Sequence, residues 1–307
     1  MAPTVVLVTG VADQLGGQLA AQLADDPDIE RVLGVDTARL AVPRGTRVEF
    51  VRADIRDPRI AKVIDSARVD TVVHAAPRSG AGAKELNVIG TMQLLAACQR
   101  SRTVRKLVVK STAEVYGGGA GAPAVFTEQD ADQAVQRRGG DAAEIEGYAL
   151  GLARRRPDLV LTIVRLAEVI GPHIDNALTR YFSLPFVPTV LGFDARVQFV
   201  HITDALAVLE RAITHDLPGV FNVGGDGVLM LSQAIRRAGR VPLPVPRATI
   251  GPATRLAGGR VALSPGQSRL LSHGRVIDTT RLKTTFGFTP KWTTTAAFDD
   301  FVRAVAK

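Results

Sequence analysis

Cysteine is almost missing from this chain. Cys98 is the single one in 307 residues, which excludes an internal disulfide and a cysteine metal cluster. Aromatic residues are scarce too, at 5% with one tryptophan and three tyrosines. No aromatic and basic stacking surface or helix-turn-helix pattern for nucleic acid is visible. No apolar run approaches the length that crosses a bilayer, and no leader is expected before the first strand pattern. The five histidines, His74, His173, His201, His215 and His273, lack metal-ligand spacing, so no metal is expected. Acidic residues are outnumbered, 30 against 38 basic ones, for a net charge of +8. The basic residues read as spread out, and the longest run, Arg154-Arg155-Arg156, closes a predicted helix where cations complement the dipole. A solvated surface is expected. The default is a cytoplasmic protein with a small-molecule substrate and with no nucleic-acid or membrane partner.

What is present starts at Thr4. Val5-Val6-Leu7-Val8 is an unbroken apolar run ended by Thr9-Gly10, the pattern of a strand buried on both faces. After Gly10-Val11-Ala12-Asp13-Gln14-Leu15-Gly16-Gly17, Leu15, Leu19 and Leu23 recur at helical spacing. Arg31 to Asp36 is a second apolar strand that ends in an acid. Strand, glycine turn, helix, strand and terminal acid form the setting in which glycines signal a dinucleotide site. The glycines let the backbone approach a pyrophosphate, and free N–H groups at the helix start hold it. Asp36 is placed to accept from the adenosine ribose hydroxyls and repels a 2′-phosphate, so NAD is favoured over NADP. Asp13 stands in the middle of a G-x-x-G-x-x-G spacing. It either points a carboxylate at the diphosphate or caps the following helix.

Further strands are predicted at Arg47–Val51, Asp70–Ala76, Arg105–Ser111 and Leu159–Leu166. Helices are predicted at Asn87–Arg100, with an apolar face of Val88, Ile89, Met92, Leu95 and Ala96, and at Asp141–Arg156. Asp54 lies at a strand's carboxyl end, where its side chain and the Ile55 backbone reach an adenine; the other reading is a cap for the helix after Pro58. Small Ala75 and Ala76 let a flat ligand pass. His74 reads as a packed core histidine rather than a base. Gly117 to Gly140 is a long glycine-rich loop. Tyr181 to Val190 reads as irregular, the Pro-rich Val241–Pro246 belongs to a small α+β lobe, and Ala296–Val305 is a last helix. The fold class is α/β: a Rossmann-type doubly wound parallel sheet over 1–172, with 197–225 returning to it, and a smaller C-terminal lobe of 173–196 and 226–307.

Several segments occur in one order: Val8-Thr9-Gly10, Gly34-Val35-Asp36, Ala53-Asp54-Ile55, Val73-His74-Ala75-Ala76 and Asn87-Val88-Ile89-Gly90-Thr91. Ser111 to Gly117, Gly171-Pro172, Phe199 to Asp204, Phe221 to Gly225 and Phe286 to Pro290 follow. Together they resemble the extended short-chain dehydrogenase/reductases of the NAD-dependent epimerase/dehydratase group. The chain is similar to an actinobacterial subgroup labelled UDP-glucose 4-epimerase. The resemblance implies bound NAD, with contacts from Gly10, Asp13, Gln14, Leu15, Gly16, Asp36, Asp54, Ile55, Ala75, Ala76 and Asn87. It implies hydride transfer at a substrate hydroxyl carbon, with Thr112 bonding the reacting oxygen. It also implies a homodimer through the helices Asn87–Arg100 and Asp141–Arg156, where Ala142, Ala143, Ile145, Ala149 and Leu152 allow close packing.

Two departures qualify that expectation. The group's Tyr-x-x-x-Lys pair falls on Arg138 and Ala142, and no tyrosine or lysine stands between Gly117 and Gly147. Tyr116 and Arg138 are the remaining acid/base candidates, while Tyr148 reads as a core or interface aromatic. Glu168 occupies the slot where nucleotide-sugar members carry asparagine, and a carboxylate beside a diphosphate is unfavourable. Val197-Gln198 replace the usual Arg-Asp before Phe199, with Arg196 one residue early. Two functions stay open: an NAD-dependent oxidoreductase or epimerase with a rearranged acid/base, and a catalytically silent NAD(P)-binding sensor or partner-binding protein.

Overall fold

The β-branched run after Thr4 forms a strand, β1 (Val5–Thr9), buried along its whole length. A computed structural model of the chain describes residues 3–38, 46–75, 83–119, 121–131, 140–249, 252 and 261–305. Five more strands of one sheet follow: β2 (Arg31–Asp36), β3 (Glu49–Arg52), β4 (Thr71–His74), β5 (Lys106–Thr112) and β6 (Val160–Leu166). The seventh is Gly219–Val223, and the order across the sheet is Gly219–Val223, β6, β5, β4, β1, β2, β3. Neighbours from β3 through β1 to β5 pair in parallel. The chain reverses direction across the sheet between β1 and β4, the switch point where doubly wound sheets bind ligands.

The first helix, α1 (Gln14–Asp25), buries Leu15, Leu19 and Leu23, the residues of the helical stripe. The second is α2 (Ile60–Ser66), whose start is held by Asp57: its carboxylate accepts from the Arg59 N–H at 2.9 Å. The third, α3 (Ala83–Arg100), starts four residues before its expected start and turns a different face inward. Asn87, Gly90, Thr91, Leu94, Leu95 and Cys98 are buried, whereas Ile89 and Met92 are exposed. The expected apolar face holds at Leu95 but not at Ile89 and Met92, because Gly90 and Thr91 carry the packing. A Cβ at Gly90 would lie 2.6 Å from Ile55 Cγ1. Arg156, from the arginine run, donates to the carbonyls of Cys98, Ser101 and Val104 at 3.0–3.1 Å. It closes the end of α3, while Arg154 and Arg155 stay exposed.

The chain divides into two compact units. One comprises Met1–Ser111, Asp141–Arg165 and Leu206–Phe221; the other comprises Thr112–Gly140, Leu166–Ala205 and Asn222–Lys307. The boundary differs from the expected one at residue 172: the segment after β5 and all of 166–205 group with the second unit. The first unit is cored by aliphatic residues of β1, β4, β5, β6 and their helices, among them Leu7, Val72, Leu94, Val109, Leu152 and Ile163. The second is cored by aromatic rings. Phe298 meets Phe182 edge-on at 5.0 Å and stacks on Phe199 at 5.5 Å, geometry that adds to area burial.

Residues 181–190 are regular rather than irregular. Helix Ala177–Ser183 leads into strand Phe186–Val190, which pairs in parallel with the Pro-rich strand Val241–Val245. The prolines are tolerated because Val241, Leu243 and Val245 are in phase for the ladder, with Val241 N–H donating to Pro185 O at 3.2 Å. Pro242 and Pro244 then fall on the open edge, where no donor is needed.

Candidate functional site

In the first unit, the turn after β1 is drawn tight. Gly10 has φ of +79°, its N–H donates to Val35 O at 3.0 Å, and its carbonyl accepts from Asp13 N–H at 3.1 Å. A Cβ at Gly16 would lie 2.3 Å from Gly10 O, so only glycine lets α1 start this close to the turn. Asp36, buried at the end of β2, ties the turn to the neighbouring strand. Its carboxylate accepts from the N–H groups of Ala12 at 3.0 Å, Thr37 at 2.7 Å and Ala38 at 3.2 Å. Asp13 sits at the N-cap of α1, but its side chain makes no cap hydrogen bond and is exposed. The expected capping is therefore positional only. Gln14 is half-buried, and Leu15 packs into the core.

Asp54 follows β3 and is engaged by Arg56, whose guanidinium donates at 2.6–3.1 Å. That pairing holds its carboxyl below the usual carboxylate range. Ile55 is buried under Gly90. Ala75 is buried just past β4, and Asn87 is buried in α3; Ala76 and Arg138 lie outside the described residues. His74 is held at both ring nitrogens, by Thr9 Oγ1 at 2.9 Å and Thr91 Oγ1 at 2.8 Å. Burial, with nearby Lys110, pushes its pKa down to about 3, so it stays neutral as a packed core residue. Ser111 donates to Glu146 at 2.5 Å, and Glu146 takes a guanidinium fork from Arg165 at 2.6–3.1 Å. This buried triad joins β5, β6 and the helix Gly140–Arg155. Ala142, in the position of the lysine, is half-buried on that helix.

In the second unit, Thr112 caps the short turn Ala113–Tyr116: its Oγ1 accepts from Glu114 N–H at 3.2 Å, and its hydroxyl hydrogen has no acceptor among the described residues. Tyr116 does not present its hydroxyl to a ligand. It is 3% exposed, stacks on Phe126 at 5.0 Å and donates to Asn222 Oδ1 at 2.6 Å. Asn222 in turn donates its N–H to Glu128 and its amide to Phe126 O. This is a turn-holding placement, and it corrects the reading of Tyr116 as acid/base.

A second cluster surrounds Glu168 with residues that the sequence did not single out. Glu114 accepts from Ser264 Oγ at 2.8 Å, and a Cβ at Gly266 would meet its carboxyl at 2.4 Å. Arg275, 5% exposed, donates to the carbonyls of Gly117 and Gly266 and lies 3.9 Å from Glu168. Glu168 has its pKa pushed up to about 7, by burial first and then by the Glu114 charge, against the pull of Arg275 and Gln267. The signal was present in Ser264-Pro265-Gly266-Gln267, a capping box with proline at N1. Gln198, in the slot of the usual acid, bridges Gly225 O at 3.0 Å and the Ile277 N–H at 2.8 Å. Among the described residues no group of histidine, cysteine or carboxylates is arranged for a metal, and no helix is long and apolar enough to cross a membrane.

The comparisons agree with this geometry. The profile of the NAD dependent epimerase/dehydratase family matches residues 6–224. An uncharacterized protein of Mycobacterium tuberculosis is 52% identical, covering 98% of this chain and 84% of that protein. UDP-glucuronic acid 4-epimerase of Bacillus cereus, solved with UDP-glucuronic acid and NAD, superposes with a TM-score of 0.74 at 18% identity, over 99% of both chains. A dTDP-glucose 4,6-dehydratase of Streptomyces venezuelae, solved with NAD, gives 0.75 at 20% identity over 99% and 97%. Family profile, strand order and glycine turn together establish that this chain belongs to the NAD-dependent epimerase/dehydratase family.

Proposed function

We propose that the protein is an NAD-dependent oxidoreductase acting on a hydroxylated, sugar-like substrate, with an acid/base other than Tyr-x-x-x-Lys. The observation that carries this reading is the turn between Gly10 and Gly16, closed so tightly that a single methyl would fill it. The residues present fit a dinucleotide. Backbone N–H groups at the start of α1 would hold a pyrophosphate, and Asp36, at the end of β2, would meet the ribose hydroxyls. A carboxylate there favours NAD over NADP. Bound NAD supplies a hydride acceptor.

The protein's own residues orient and move protons. Thr112 donates its free hydroxyl hydrogen to the substrate oxygen. Glu168 is the acid/base candidate: Arg275 lies 3.9 Å from it, and burial and the Glu114 charge raise its carboxyl above the usual range, toward the neutral pH that such a group needs. Arg275 steadies its ionised form. The relatives solved with nucleotide sugars support a sugar-like substrate, while the carboxylate at Glu168 argues against a diphosphate beside it.

The protein is proposed to work as a homodimer. Ile145, Ala149 and Leu152 are spent on the chain's own core, so the contact falls to exposed Ile89, Met92 and Tyr148, with Gly147 giving room for close approach. Sedimentation of the full chain tests this, with a monomer at micromolar concentration as the contrary result.

The functional test is NADH formation from a panel of sugars and polyols. Thr112→Ala is expected to lower kcat by roughly 10²-fold or more, the loss seen when one donor to a reacting oxygen is removed. Turnover unaffected by that change would remove Thr112 from the chemistry. NAD binding with no turnover on any substrate would favour the second reading, a binding protein without catalysis, which the missing Tyr-x-x-x-Lys pair also favours.

A further inference from the structure

The net charge of the chain is concentrated in one segment. Between Asp226 and Asp278 there are eight arginines and no aspartate, glutamate or lysine. The remainder holds thirty basic and thirty acidic residues, so that segment accounts for the whole +8. It contains the strand Val241–Val245, which lies beside Phe186–Val190 with Val241 opposite Phe186. Side chains two apart share a face, so Phe186, Val241 and Leu243 stand on one side of this ribbon. They are 57%, 54% and 46% exposed.

Arginines flank the ribbon. Arg240 directly precedes Val241, and its N–H closes on Ile235 O at 3.0 Å, folding the end of helix Leu231–Arg237 back beside the strand. Arg236 on that helix and Arg247, just past the strand, are exposed. Arg237 is paired with Asp299 at 2.8 Å, and Asp194 is engaged by Ser232 at 2.7 Å. Arg236, Arg240 and Arg247 have no carboxylate partner among the described residues.

Three kinds of partner use an exposed apolar strand, and the chemistry separates them. A peptide adding a further strand needs backbone donors on the open edge, and Pro242 and Pro244 remove them there. Single-stranded nucleic acid stacks on aromatic rings, and two of the three exposed side chains are aliphatic. A bilayer interface accepts aliphatic and aromatic side chains at the acyl boundary and draws arginines to anionic headgroups.

We propose that the face formed by Phe186, Val241 and Leu243, flanked by Arg236, Arg240 and Arg247, docks the protein on membranes bearing anionic lipids. Docking of this kind is peripheral and needs no spanning helix.

The test is co-sedimentation of the full chain with phosphatidylcholine vesicles containing about one third phosphatidylglycerol, against pure phosphatidylcholine vesicles. Binding is expected to the anionic vesicles and to fall steeply with salt. Arg236→Gln with Arg247→Gln is expected to weaken it by roughly 25-fold, about fivefold (about 1 kcal/mol) per arginine. Phe186→Ser with Leu243→Ser is expected to weaken it roughly tenfold or more. All four sites are exposed, and thermal melts superposing on the wild type confirm that the variants fold. Equal partitioning to both vesicle types, no binding to either at low salt, or binding unchanged in both double variants would overturn the proposal. Binding of an RNA oligomer that the arginine changes abolish, without vesicle binding, would reassign the face to nucleic acid.

Discussion

The two units of the chain handle buried polar groups in opposite ways. In the unit built on β1, the central polar groups are matched: His74 sits between two threonine hydroxyls, and Glu146 between Ser111 and Arg165. In the unit that holds Glu168, the buried Nε of Arg240, Arg269 and Arg275 and Nε2 of His273 have no hydrogen-bond partner among the described residues. Buried donors are nearly always paired, so that concentration marks a region whose polar interior is less fully matched among the described residues. A matched interior makes a scaffold with one arrangement. An incompletely matched one holds charge and protons ready for something else. The contrast extends to pH. His74 titrates near 3 against an ordinary 6.5, so the unfolded chain takes up its proton first, and stability is lost as pH falls through that window. Glu168 titrates near 7 against an ordinary 4.5, so the unfolded chain ionises first, and stability is lost as pH rises from 4.5 to about 7.

The comparison can be broken at four points. Phe298→Ala removes the ring that joins Phe182, Phe199 and Phe301. It is expected to cost about 3–5 kcal/mol, read by denaturant unfolding; a loss under about 1 kcal/mol would mean that the aromatic core of the second unit is loosely packed. Asp36→Asn removes a charged acceptor from the end of β2 and is expected to weaken NAD binding by about 1.5–3 kcal/mol, read by calorimetry. Unchanged affinity would separate Asp36 from the ligand and leave it only its turn-holding bonds.

Glu168→Gln makes the neutral form permanent. It is expected to raise stability on the order of 2 kcal/mol at about pH 8 and to change little below the ordinary carboxyl range. Thermal melts across pH check it, and a gain independent of pH would assign the effect to packing instead. Tyr116→Phe is expected to cost about 1–2 kcal/mol, since it leaves Asn222 Oδ1 short of a donor, while kcat stays within about twofold. A collapse of kcat with stability intact would restore Tyr116 to the chemistry.

How much could be read from the sequence follows the same division. The first unit is written in local signals. A continuous β-branched run, a glycine turn, a leucine stripe and a terminal acid each follow from period and backbone freedom, and β2 lies at Arg31–Asp36 as expected. The face of α3 was misjudged because apolar count is a poor guide when a glycine sets the helix spacing. Gly90 lets Ile55 in, and that turns Ile89 and Met92 outward.

The second unit is written in long-range pairings. Tyr181–Val190 looked irregular because aromatics and prolines crowd it, and only the register of Phe186–Val190 on the Pro-rich Val241–Val245 shows that the missing donors fall on the open edge. Glu168 was conspicuous as a wrong letter. Its pKa depends on Glu114, Arg275 and Gln267, which stand 54, 107 and 99 residues away along the chain. The even spread of charge was likewise a misreading, because balanced counts elsewhere hid an acid-free segment.

The central claim is that the Gly10–Gly16 turn and Asp36 hold NAD. Calorimetric titration of NAD, and separately of NADP, into the full-length chain tests it most directly. The expected result is one NAD bound per chain, with NADP weaker by roughly tenfold or more because a 2′-phosphate meets the Asp36 carboxylate. No heat with either dinucleotide, or tighter binding of NADP, would contradict it.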